Sequence, residues 1–250
     1  MIGSRLADLG GKLMVGNYRG LNFECHIRNI SFSPLDVMLT GSTGSGKSTT
    51  INCIFDKPIA KVGDGAEPET MSLNAFRLTD HMRFWDTPGL GDGIRNDLSH
   101  AYNIKRLLRK PHHGQFYLID MVIVIVDAGS RDIGTTVKLI DQVLTKSIPP
   151  ERIMVALNQA DFAMKGRHWD SSHNIPDDVL HNFLEDKAES VQRRINDSAQ
   201  LNLRKPVYYS AKYRYHIEAL YDAIIAQMPD KPRRIANEPS CYCTHRKFCI

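Results

Sequence analysis

Residues 35–48, Leu-Asp-Val-Met-Leu-Thr-Gly-Ser-Thr-Gly-Ser-Gly-Lys-Ser, run from an apolar strand-like stretch into a glycine-rich loop ending in Lys47-Ser48. Gly41 to Ser48 fits G-x-x-x-x-G-K-[ST], and the segment that follows has helical character. Glycines let backbone N–H groups turn inward around phosphate oxygens. Lys47 supplies a point charge to β- and γ-phosphates, and the Ser48 hydroxyl is placed to bind Mg²⁺. A helix N-terminus directly after the loop adds partial positive charge. Ser42, Thr43, Gly44, Ser45, Gly46, Lys47, Ser48 and Thr49 are therefore the candidate phosphate-binding residues of a nucleotide site.

Working outward, short β-branched runs alternate with segments of helical period. The runs are Leu35–Thr40, Ala75–Leu78, Met82–Trp85, Met121–Val126, Ile153–Leu157 and Val207–Tyr209. Helices are expected over 47–55, 97–108, 135–146, 178–196 and 216–228. The last places Ile217, Leu220, Tyr221, Ile224, Ile225 and Met228 on one stripe. Such alternation predicts an α/β fold, a three-layer αβα sandwich with a mostly parallel sheet covered on both faces. The expected organisation is an N-terminal extension (1–34), one folded domain (35–230) and a C-terminal tail (231–250).

Three further stretches sit at strand ends, where open α/β sheets bind ligands. Asp86-Thr-Pro-Gly89 offers an acid for Mg²⁺ through water and an N–H, that of Gly89, for a γ-phosphate. Asn158-Gln159-Ala-Asp161 sets an amide and a carboxylate three residues apart. The carboxylate accepts from N1–H and the N2 amine, which guanine has and adenine lacks. In Ser210-Ala211-Lys212 the Ala211 N–H is a donor for guanine O6. An ATPase or kinase is disfavoured by Asn158 with Asp161.

The order G-x-x-x-x-G-K-S, D-x-x-G, N-x-x-D, S-A-K resembles the P-loop GTPases over roughly residues 35–228. Within them the chain resembles the Era-like bacterial GTPases, labelled 50S-ribosome-binding GTPases, and enterobacterial, prophage-associated GTP-binding proteins. The resemblance implies a P-loop NTPase G domain with a six-stranded sheet, five strands parallel and one antiparallel, binding GTP or GDP with Mg²⁺. It also implies a switch-I Thr on Mg²⁺. Thr70 is the only Thr between Asp56 and Asn74 and is the candidate. Ser48, Thr70 and Asp86 are thus the expected metal set, and Lys47, Thr70 and Gly89 the expected catalytic set.

Departures from the family pattern shape the expected activity. Gln159 replaces the usual Lys of N-K-x-D, so weaker nucleotide affinity is expected with guanine specificity kept. Leu90 follows Gly89 where Ras-like members use a Gln to orient the attacking water. Leu cannot hydrogen-bond water, so slow hydrolysis is expected. Gly44 stands where K⁺-using members carry Asn. Septin-like and immunity-related GTPases resemble the chain at that position, which points to a homodimer across the nucleotide face. The main expectation is a molecular switch that hydrolyses GTP slowly and answers to an unknown protein effector. Its rival is a weakly hydrolysing, GTP-binding interaction module that dimerises. The 22 residues after Met228 leave no room for a KH domain, so RNA or ribosome binding is not expected.

Composition agrees with a soluble globular chain: 250 residues, 42% hydrophobic and 24% charged. The formal charge of +4 is too mild to argue for a polyanion partner. The longest apolar run, Met121 to Val126, is far short of a membrane span. An odd count of five cysteines and no leader-like N-terminus fit reduced thiols in the cytoplasm. Cys241-x-Cys243-x-His245 with Cys249 offers four soft ligands, but C-x-C strains a tetrahedral zinc chelate, and the cysteines read as free thiols of a tail. His112 and His113 read as loop residues. Phe162 to Pro176 reads as a surface loop with Trp169 folded back on the domain.

Overall fold

The structure, a computed structural model, describes residues 34–55, 74–79, 82–87, 89, 94–112 and 116–229. Thr70, Leu90, His113, the extension before Pro34 and the cysteine-bearing tail lie outside the described residues.

The central sheet contains β1 (Leu35–Gly41), β2 (Asn74–Thr79), β3 (Met82–Asp86), β4 (Met121–Asp127), β5 (Ile153–Asn158) and β6 (Val207–Tyr208). Their order across the sheet is β6-β5-β4-β1-β3-β2. All neighbours are parallel except β2 with β3. This is the mostly parallel, six-stranded αβα sandwich expected. The helices are α1 (Lys47–Phe55), α2 (Ile94–Leu108), α3 (Gly134–Leu139), α4 (Asp178–Ala199) and α5 (Ile217–Gln227).

The continuous apolar runs follow from burial on both faces. In β4, Val122, Val124 and Val126 enter one core, while Met121, Ile123 and Ile125 enter the other. β5 divides likewise, with Ile153, Val155 and Leu157 on the first face and Met154 and Ala156 on the second. The first core takes Leu107 and Leu108 of α2, Leu139 of α3, and Leu180, Leu184, Val191 and Ile195 of α4. The second takes Ile51 and Ile54 of α1 and Leu220 and Ile224 of α5.

Helix ends match local chemistry. Asp177 caps α4, its side chain accepting from the N–H groups of Val179 and Leu180 at 3.0 Å. The helix expected over 135–146 changes character midway. α3 stops at Leu139 and a π turn covers Ile140–Leu144, with the Thr145 N–H reaching back five residues to the Ile140 carbonyl. The wider turn keeps Ile140, Val143 and Leu144 all buried.

Two short antiparallel strand pairs lie outside the central sheet. Pro111–His112 pairs with Phe116–Tyr117, so His112 lies on a strand and not in a loop. Trp169–Asp170 pairs with Ile175–Pro176 inside the expected surface loop. Trp169 does fold back: its ring lies 5.5 Å from those of Tyr213 and Tyr215 and packs on the first core.

A buried charge cluster also carried no sequence signal. Asp36, fully buried at the start of β1, sits in register with Arg83 of β3. It accepts from Arg83 Nε at 2.7 Å, Arg83 Nη2 at 2.8 Å and Trp85 Nε1 at 2.8 Å. Its own N–H donates to Asp120 Oδ2 at 2.8 Å. The hydrogen bond to Asp36 outweighs partial burial and holds the Arg83 guanidinium above its usual pKa.

Candidate functional site

β1, β3, β5 and β6 all end on the same side of the sheet, and the four motifs begin where they end. The loop after β1 turns through Gly44 (φ 77°) and Gly46 (φ 85°), left-handed values that glycine adopts without strain. A Cβ on Gly46 would overlap Asn158 Nδ2, so glycine there also admits the loop's neighbour. Lys47 is buried and its Nζ donates to the carbonyls of Ser42 (2.9 Å) and Gly41 (3.3 Å), lying along the loop itself. Thr43 and Gly44 are exposed, and Ser42, Ser48 and Thr49 are half-buried.

Two of the three expected metal residues meet. Ser48 Oγ donates to Asp86 Oδ2 at 2.8 Å. Asp86 is buried, and its Oδ1 has no hydrogen-bond partner. Burial pushes its carboxyl above the usual range, while Ser48, Lys47 and the Thr87 N–H pull the other way. A hard cation beside this oxygen would offset the desolvation, so hydroxyl and carboxylate fit a Mg²⁺ ion. Thr70, the third, lies outside the described residues.

Gly89 is buried against the phosphate loop. A Cβ there would come within 2.6 Å of Thr43 Cα and 2.8 Å of Thr43 N, so only glycine lets the two loops touch. Thr87 Oγ1 donates to the Leu39 carbonyl at 2.9 Å and ties this segment to β1.

The residues expected to read the base converge. Asn158 is buried, and both ends of its amide are taken by protein atoms. Nδ2 donates to the Ser45 carbonyl at 3.0 Å, and Oδ1 accepts from the Ala211 N–H at 3.0 Å. Asn158 therefore braces the phosphate loop against the 210–212 turn. The Ala211 N–H, expected to meet guanine O6, donates to Asn158 here. The pattern N-x-x-D located the residue but gave no sign of this bracing. Gln159 (φ 63°) donates from Nε2 to the Gly44 carbonyl at 2.6 Å, a neutral tie to the phosphate loop. Asp161 is buried and its Oδ1 lacks a hydrogen-bond partner. A carboxylate oxygen in that state suits a ligand bringing N–H donors.

Ser210 is held by a two-way backbone bridge to Tyr215, at 3.0 and 3.1 Å, and its Oγ accepts from the Tyr213 N–H. Lys212 is exposed, with Nζ 4.9 Å from the Tyr213 ring centre. Ser45 Oγ is a third buried, unpartnered atom at these tips. A cleft of about 530 Å³ at the start of β5, lined by Arg152, Asn202, Arg204 and Gln227 among others, shares no residue with the motifs. Among the described residues no group of three or more acids, His or Cys is arranged as a metal cage. None of the described helices is long and apolar enough to cross a membrane.

Comparison with known proteins agrees with the geometry. Residues 36–159, about half of the chain, match the family model for 50S ribosome-binding GTPases. No curated protein matches the sequence. Among solved structures, Toc33 from Arabidopsis thaliana in complex with GDP and Mg²⁺ is 16% identical, with a TM-score of 0.59 over 87% of this chain and 93% of that one. A structure of the chloroplast translocon components atToc33 and psToc159 is 15% identical, with a TM-score of 0.62 over 88% and 92%. Era from Aquifex aeolicus bound to GDP·AlF4⁻ is 16% identical, with a TM-score of 0.54 over 83% of this chain and 63% of that one. At these identities the structural likeness speaks for the fold, and the family assignment rests on the matched segment with its motifs. The chain is a P-loop GTPase, with a GTP-binding G domain of the 50S ribosome-binding GTPase type.

Proposed function

We propose that this protein binds GTP and GDP with Mg²⁺, hydrolyses GTP slowly to GDP and phosphate, and acts as a cytoplasmic molecular switch on a protein effector. One observation carries the reading: buried, unpartnered oxygens of Asp86 and Asp161 sit at the strand tips that flank a glycine-built phosphate loop. In this reading Ser42 to Thr49 hold phosphates, and Lys47 neutralises charge developing on the β–γ bridge. Ser48, Thr70 and Asp86 hold Mg²⁺, which when bound draws charge from the phosphate oxygens. The Gly89 N–H meets the γ-phosphate. Asp161 reads guanine N1 and N2, and Asn158, Gln159, Ser210, Ala211 and Lys212 shape the base pocket around it. The G domain spans 35–230, with 1–34 as an extension and 231–250 as a tail.

Leu90 offers the attacking water no hydrogen bond, which supports slow turnover. Unassisted small GTPases run at roughly 10⁻⁴ to 10⁻² s⁻¹, far below the enzyme median of about 10 s⁻¹. The test is single-turnover GTP hydrolysis by purified protein over a wide concentration range. A flat, slow rate supports the switch with an external partner. Several turnovers per second at low concentration would refute it.

A second reading has its own support. Gly44 is exposed, with open space around its Cβ position, and lies on the nucleotide face. For the chloroplast translocon components atToc33 and psToc159, dimerization is important for the GTPase activity. A homodimer across that face would make hydrolysis rise with protein concentration in the same assay.

A further inference from the structure

Tyr209 stands one residue before the S-A-K turn and is no part of any nucleotide motif. It is fully buried. Its N–H donates to the Leu157 carbonyl at 2.8 Å, and its own carbonyl accepts from the Ala160 N–H at 3.1 Å. The backbone is thereby threaded between β5 and the turn that carries Asp161. The side chain runs in the other direction, to α1, where its hydroxyl lies 2.8 Å from Thr50 Oγ1. Thr50 Oγ1 in turn donates to the Gly46 carbonyl at 2.8 Å, the i−4 back-bond a helical Thr can make. That fixes the proton order: Thr50 spends its hydrogen on Gly46, so Tyr209 donates to Thr50.

On the other side of the site, Asn158 already joins Ser45 to Ala211. The two links close a circuit: Gly46, Thr50, Tyr209, Ser210, Ala211, Asn158, Ser45 and back to Gly46. The phosphate loop and the 210–212 turn are therefore joined twice, once by a motif residue and once by Tyr209, beside the separate tie of Gln159 to Gly44. From this closed circuit we infer that Tyr209 and Thr50 are positioning residues for the nucleotide, fixing the spacing between the phosphate-binding and guanine-reading loops. The inference rests on the site described under the proposed function. A nucleotide has to touch both loops at once, and a cradle already spaced for it avoids the ordering cost of binding.

The test is a double-mutant cycle on GDP affinity with the full chain, using wild type, Tyr209→Phe, Thr50→Val, the double variant and Thr50→Ser. Tyr209→Phe keeps the ring and removes only the donor, so GDP should bind about fivefold more weakly, the value of one neutral hydrogen bond. Thr50→Val should lose at least as much, and Thr50→Ser, which keeps the hydroxyl, should bind as wild type does. In the Thr50→Val background, Tyr209→Phe should add nothing. Unchanged GDP affinity in Tyr209→Phe, or fully additive losses in the double variant, would overturn the inference. If Tyr209→Phe does not fold, the two Thr50 variants decide: equal affinities overturn it. Wild-type protein that fails to bind GDP would instead refute the proposed function.

Discussion

Removing Arg83 tests whether the buried Asp36 cluster holds the sheet together. Arg83→Met keeps an apolar stem of similar length and deletes both hydrogen bonds to Asp36. The carboxylate remains fully buried, with Trp85 Nε1 and its other neighbours as residual partners. Breaking a fully buried pair costs about 3–5 kcal/mol, because one charge is left uncompensated. The Arg83 side chain is 26% exposed, so water screens part of the interaction. We therefore expect about 2–3 kcal/mol. For a domain of this size each kcal/mol moves the melting temperature by about 2–4 °C, giving a fall of roughly 4–12 °C. Asp36→Asn in the Arg83→Met background removes the stranded charge and should recover at least half the loss. The assay is thermal and urea unfolding of wild type, both single variants and the double variant. Arg83→Met melting within about 2 °C of wild type would refute the reasoning. So would a double variant less stable than Arg83→Met, since the cost would then not be an uncompensated charge.

Other outcomes follow from the nucleotide site. Lys47→Ala should weaken GTP and GDP binding at least about tenfold, roughly 1.4 kcal/mol, in an equilibrium titration. Asp161→Asn turns an acceptor into a donor, so competition binding should show a shift in preference from guanine to xanthine nucleotides. Asp86 has its folded-state pKa raised, so its contribution to the stability of the nucleotide-free protein is present below the ordinary aspartate pKa and is lost as pH rises through the raised value. Mg²⁺ prefers the ionised form, so Mg²⁺-dependent GDP retention should strengthen over that same rise, and Asp86→Asn should flatten the profile. With Gly44 in place of Asn, exchanging Na⁺ for K⁺ at constant ionic strength should change the hydrolysis rate by less than about twofold, which a phosphate-release assay would show.

The architecture could be read in advance because burial on both faces writes itself into sequence as unbroken apolar strands. Met121 to Val126 is legible for that reason, as is the stripe along 217–228. The phosphate loop was legible because its chemistry is local: glycines, a lysine and a hydroxyl within eight residues. Partner choice between distant residues was not. Asp36 and Arg83 are 47 positions apart and meet only through the register of β1 on β3. Asn158 carried the right motif, yet its hydrogen bonds go to Ser45 and Ala211, 113 and 53 positions away. The Trp169–Pro176 hairpin was hidden because its strands are two residues each, too short for any period to show.

β3 is fastened to β1 at both ends, by Arg83 on Asp36 at its root and by Thr87 on Leu39 beyond its tip. A rod pinned twice cannot slide along its neighbour. Of the described strands β2 pairs only with β3, and that pairing slips between Arg77 and Thr79. The sheet is thus pinned by side chains through its middle and ends, on one margin, in a strand with a single hydrogen-bonded neighbour.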